Sequence, residues 1–151
     1  MQNNLFFHIP FYTHDNSAFP KPVNGNYNYW VSLINYFLEK TDTIEIHCWD
    51  EEVDTIEEIK ALPLSTFKMI KEENITIFKG NKTSNLSNYL LNHYTNNIEE
   101  FKWFTVNLDL GMVPMFHSGH WGTEFFVPNV TEKEIAVIKS VTPSETRFHQ
   151  Y

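Results

Sequence analysis

At 151 residues the chain suits one globular domain spanning residues 1–151, and folding a chain of this size buries about 68–70% of its unfolded surface. Aromatic residues make up 16% of it, enough apolar bulk to offset the entropy of ordering, so global disorder is excluded. The net charge is −8, Arg147 is the sole arginine and the lysines are scattered, which excludes the clustered basic surface that displaces counterions from nucleic acid.

The single cysteine, Cys48, has no partner for an internal disulfide, which fits a reducing compartment. No apolar run reaches membrane-spanning length, and the first residues lack the basic start of a secretory signal. The expectation is a soluble, cytoplasmic protein with no membrane partner. The four Asn-x-Ser/Thr triplets at Asn74, Asn81, Asn85 and Asn129 then read as chance matches in an asparagine-rich chain.

In chain order, Leu5 to Tyr12 is rich in strand-favouring aromatics, with Pro10 marking an edge or an interruption. Asp15 to Asn26 is a loop punctuated by Pro20, Pro22 and Gly25. From Tyr27 to Lys40, Tyr27, Trp30, Val31, Ile34, Phe37 and Leu38 recur at helical spacing. Thr43 to Trp49 alternates as a strand with Ile44, Ile46 and Cys48 on one face. A helix is expected to start near Asp54, capped by that side chain with Glu57 reaching back, and to end at Pro63. Leu64, Phe67 and Ile70 suggest a second short helical piece.

Ile75 to Lys79 reads as a strand stopped by Gly80, and Ser84 to Tyr94 as a helix through Leu86, Tyr89, Leu90 and Tyr94. Phe104, Val106, Leu108 and Leu110 alternate with polar residues as a half-buried strand. Val113 to Val127 reads as a hairpin around its glycines. Thr131-Glu-Lys-Glu134 is a complete capping box, opening a helix with Ile135, Ile138 and Val141 inward, closed by Pro143. A last strand is expected at Thr146 to Gln150. The order implies an α/β or α+β fold: a mixed, partly parallel sheet with helices packed on it, and an antiparallel hairpin in the C-terminal third.

The segment Phe116 to Phe126 concentrates the chemically able residues: His117, His120, Trp121 and Glu124 among glycines. A turn at Ser118-Gly119 would oppose His117 to His120 but leave Glu124 roughly 13 Å away at about 3.3 Å per residue. A turn at His120-Trp121 would instead oppose His117 to Glu124, a pair fit for acid–base chemistry, and Phe116 to Phe125. Neither register gathers a metal set without help from His47 or Asp50. The structural alternative, an aromatic hairpin anchored by Trp121 and Phe125, is the preferred reading of the segment, and no metal or cofactor is assigned.

The acidic run Asp50, Glu51, Glu52 and Asp54 follows Trp49 at the carboxyl end of a strand, where ligands of such sheets gather. It is either a solvated turn and first helical turn or a surface that attracts a basic protein. Cys48 is in phase with Ile44 and Ile46 and points away from His47, so it reads as a buried, inert thiol. No phosphate loop, dinucleotide fingerprint or nucleophile elbow is present. The leading expectation is a small acidic protein that binds a basic protein, as an inhibitor or antidote does, through Trp49, Asp50, Glu51, Glu52, Asp54 and Trp121. The alternative is a small hydrolase-like enzyme using His117, His120 and Glu124, with or without a metal.

Overall fold

The computed structural model describes residues 3–14, 16–63 and 67–151. Among these, the elements in chain order are strands β1 (Leu5–His8), β2 (Phe11–Tyr12) and β3 (Lys21–Pro22), helix α1 (Tyr29–Leu38), strand β4 (Thr43–Trp49), helix α2 (Val53–Lys60), strands β5 (Lys68–Glu72) and β6 (Ile75–Asn81), helix α3 (Ser84–Asn92), strands β7 (Thr105–Leu110), β8 (Val113–Gly119) and β9 (Glu124–Val127), helix α4 (Glu132–Val141) and strand β10 (Arg147–Gln150). Eight strands form one sheet in the order β10-β1-β9-β8-β7-β4-β6-β5, and β2 and β3 form a small second sheet. Beyond its helices and strands, none of the helices is long and apolar enough to cross a membrane, among the described residues.

Helices packed on a sheet in one domain is the arrangement implied by the order of elements. The pairing differs from the mixed, partly parallel expectation: every neighbouring pair is antiparallel. The reason is visible in the connections. α2, α3 and α4 each join two strands of the large sheet that run in the same direction, as a crossover should, while α1 enters it from the small sheet. In each case another strand has entered between them. β6 lies between β4 and β5, β4 between β6 and β7, and β1 between β9 and β10.

Three local expectations need correction. Asp54 does not cap α2: the cap position is Glu52, no side chain closes it, and Asp54 sits in the first turn, where its charge suits the dipole. The segment after Pro63 is not helical where it is described. Ile70 lies in β5, whose five residues are all exposed, while Leu64 lies outside the described residues. Gly80 does not stop β6, which runs on to Asn81. The capping box of α4 forms as read, with Glu134 N–H donating to Thr131 Oγ1 and Thr131 N–H donating to Glu134 Oε1. Pro10 interrupts the first strand as expected, sending Phe11 and Tyr12 into the small sheet.

One face of the sheet carries the core. Ile44, Ile46, Val106 and Leu108 pack with Trp30, Ile34, Phe37 and Ile138 from the helices, all without solvent exposure, and Ile56, Ile59, Leu86 and Leu90 join the same cluster. The core is largely aromatic: Trp30 stands edge-on to Phe101 with ring centroids 4.7 Å apart, and Phe37 stacks on Phe116 at 4.7 Å. Among the described residues the opposite phase of the strands has no such cover. It presents half-exposed Phe6 and His8 on β1, Glu45, His47 and Trp49 on β4, Asn107 on β7, His117 on β8, and Glu124 and Phe126 on β9.

Candidate functional site

The β8–β9 hairpin adopts neither of the two-residue turns. Gly119 pairs with Glu124, Ser118 with Phe125 and His117 with Phe126, so the loop is the four residues His120 to Thr123. His120, Trp121 and Gly122 have φ of 50°, 52° and 75° in succession. Only the glycine takes that left-handed region freely, and each L side chain there costs about 1–2 kcal/mol. The strain is held by the surroundings. Trp121 N–H donates to Phe104 C=O at 3.2 Å, Thr123 Oγ1 donates to His120 C=O at 2.8 Å, and the Tyr29 hydroxyl donates to Gly122 C=O. Gly122 also lies against Phe101, whose ring atoms would be 3.2 Å from any Cβ added there.

This register decides where the histidines go. His117 shares the open sheet face with Glu124, one step diagonal from it, and its Nδ1 is 2.6 Å from Asn107 Oδ1. Its ring lies over Gly119, where a Cβ would come within 2.9 Å of Nε2, so the absence of a side chain makes room for the imidazole. Burial, and then the neighbouring His47, hold the His117 pKa below its ordinary value, while Glu124 pulls the other way. His120 sits in the turn instead. Its Nδ1 is 3.1 Å from Thr123 Oγ1, and its ring meets Phe11 edge-on at 5.1 Å. His117 and Glu124 thus share the open face, while His120 is engaged in the turn with Thr123 and Phe11. Nearby, His47 Nε2 is 2.7 Å from Glu45 Oε1. No group of three His, Cys, Asp or Glu side chains is placed to hold a metal among the described residues.

The acidic segment and the hairpin tip meet. Glu52 Oε1 accepts from Trp49 N–H at 2.8 Å, and Glu52 Oε2 accepts from the indole N–H of Trp121 at 3.1 Å. Burial pushes the Glu52 carboxyl above its ordinary value despite those two bonds. Around it runs a chain of rings: Trp49 to Phe104 at 5.0 Å, Phe104 to Trp121 at 4.8 Å, and Trp121 to Phe19 at 5.2 Å. Asp50 is engaged differently. It accepts from Thr76 Oγ1 at 2.7 Å and Lys71 Nζ at 2.9 Å, and these contacts hold its pKa below the usual carboxylate value. Glu51, Val53 and Asp54 are exposed at the margin.

Of the residues picked from sequence, Trp49, Glu52 and Trp121 come together in one patch, with Glu51 and Asp54 at its edge. Phe104, Phe19 and Phe11 complete the surroundings and were not singled out. Alternation places Phe104 in phase with Val106 and Leu108, but it precedes β7 and packs between Trp49 and Trp121, while Phe19 and Phe11 are aromatics at or beyond strand ends, where alternation is a weak guide.

Cys48 is buried, and desolvation, followed by the charge of Glu52, pushes its thiol up to about 12. Because the thiolate is the nucleophile, almost none is present near neutral pH. Iodoacetamide should leave the native protein unmodified and label Cys48 only after denaturation, as read by intact-mass measurement. Prompt labelling of the native form would refute the buried, inert assignment. Comparison of the chain with protein-family models, with curated proteins and with solved structures finds no match.

Proposed function

We propose that the protein acts by binding a basic protein, in the manner of an inhibitor or antidote, through the patch centred on Trp49, Glu52 and Trp121. The observation that carries this reading is the Glu52 carboxylate bridging the Trp49 amide and the Trp121 indole. It joins an acidic turn and a strained aromatic tip, 69 residues apart in sequence, into a single surface. Interfaces concentrate binding energy in a few aromatic anchors ringed by polar residues that exclude water and steer approach. Trp121 and Trp49 are the anchors in this reading, pre-set by contacts within the fold, so little ordering is lost on binding. Glu51 and Asp54 form the charged margin, and the net charge of −8 supplies long-range attraction to a basic partner.

The test is affinity capture from the source cell with the wild type and with a Glu51→Gln/Asp54→Asn variant, followed by association kinetics with the captured protein at several salt concentrations. The expected result is a several-fold slower association for the variant and a flatter salt dependence, with unchanged thermal unfolding. Trp121→Ala should act on dissociation instead, by about 30-fold or more if it is an anchor. Identical association rates and salt slopes for wild type and the charge variant would remove the acidic turn from the interface.

A further inference from the structure

A groove of about 600 Å3 opens on the uncovered sheet face beside Trp49, bounded by β4, β6 and the β5–β6 turn. Its floor comes from the pairing register, which sets Trp49 opposite Ile75 and His47 opposite Ile77. Trp49 and the two isoleucines make this floor aromatic and aliphatic. The rim is polar and acidic, with Glu72, Glu73 and Asn74 from the turn lining it. Glu73 has φ of 47°, in the region glycine favours, so the turn carries this carboxylate on a strained backbone.

The carboxylates at this rim are uncompensated. Among the described residues neither Glu72 nor Glu73 takes part in an ion pair. The adjacent cation, Lys71, is turned to Asp50 and Thr76. Lys79 and its neighbour Lys68 lie farther along the face, four residues from the Ile75–Glu72 pair, with Lys79 opposite Glu45. The chain's sole arginine, Arg147, is on β10 at the other edge of the sheet. Trp49 belongs to both surfaces, since its amide holds Glu52 while its side chain lines the groove.

We infer that this groove receives an arginine side chain of the basic partner, with its methylenes on Ile75 and Ile77, its guanidinium plane on Trp49 and its in-plane donors on the Glu72 and Glu73 carboxylates. The inference rests on the binding reading above and names the chemistry of the residue that the partner inserts. Arginine fits better than lysine because a planar, weakly hydrated guanidinium can stack on an indole while its edge still donates to carboxylates. A lysine ammonium would have to give up hydration on the apolar floor to reach the same place.

The probe is the blocked tripeptide acetyl-Gly-Arg-Gly-amide, titrated against the whole protein while the Trp49 indole N–H signal is followed by NMR and assigned with Trp49→Phe. Matching peptides carry citrulline, which keeps the shape without the charge, or lysine. The expected result is a progressive Trp49 shift with the arginine peptide, at least about 10-fold weaker binding of the citrulline peptide, and a similar loss in Glu72→Gln/Glu73→Gln. Both carboxylates are exposed, so that variant should keep its melting temperature. No Trp49 shift at up to about 10 mM arginine peptide, or binding of the citrulline or lysine peptide equal to that of the arginine peptide, overturns the inference. The two proposals fail separately. If Glu51→Gln/Asp54→Asn slows association with the captured partner but the groove variant and peptides show nothing, only the arginine site is lost. If the acidic-turn variant also has no effect, the interface reading falls with it.

Discussion

Trp30→Ala is expected to lower the unfolding free energy by about 3–5 kcal/mol, the range for deleting a large buried aromatic. The ring has no solvent exposure and lies 4.7 Å from Phe101, 6.0 Å from Trp103 and 6.4 Å from Phe125, so its loss opens a cavity walled by rigid rings that cannot close over it. A second cost comes from its polar atom. Trp30 Nε1 donates to Leu90 C=O at 2.9 Å, and Leu90 stands in the last turn of α3, where carbonyls have no partner within the helix. Domains of this kind are stable by about 5–15 kcal/mol, so the variant should sit near the threshold of folding. Urea unfolding with an unchanged slope would measure the loss. A change below about 1 kcal/mol would show that the core can repack around the gap.

The second large effect separates two leucines of one strand. Leu108→Ala should cost about 2–5 kcal/mol, whereas Leu110→Ala should stay within about 0.5 kcal/mol. Alternation alone places both on the core face, together with Val106. The structure separates them: Leu108 has no exposure and is flanked by Ile44 of β4 and Phe116 of β8, whereas Leu110 is 49% exposed, because it lies past the end of the β4 ladder and pairs only with the exposed Val113. Equal losses for the two variants would mean that the end of β7 is covered in solution as fully as its middle.

Legibility follows the range of the force that decides each feature. The strand from Thr43 to Trp49 and the box at Thr131 and Glu134 were readable because alternation and capping are set by neighbours in sequence. The segment at Lys68–Glu72 was not, since three-residue spacing of apolar side chains suggested a helix while pairing with Ile75–Asn81 made a strand. Without β5, α2 reads as a crossover joining β4 directly to β6, which implies parallel neighbours, whereas it joins β4 to β5 and β6 returns antiparallel between them. At the candidate site the residue types were legible and their assembly was not. Nothing near Trp121 in sequence announces a bond to Glu52, and two consecutive left-handed non-glycine residues run against local preference. Such conformations persist only when distant contacts impose them.

The position of β1 has a consequence for how the chain comes to be made. Its two neighbours are β9 and β10, the strands at Glu124–Val127 and Arg147–Gln150. A ribosome adding about 5–20 residues per second leaves Leu5–His8 waiting on the order of ten seconds before either partner exists. During that interval Phe6 and Phe7 have neither of the backbone ladders they use in the finished fold, and an unpaired aromatic strand is a template for pairing with other chains. The β4–β7 half of the sheet can assemble first, with β6 and β5 beside it, because all its strands are synthesised earlier. Closure then waits for the C-terminal hairpin, the same hairpin that carries the strained tip, so the surface proposed to bind a partner is completed only late in synthesis, together with the β1 side of the sheet.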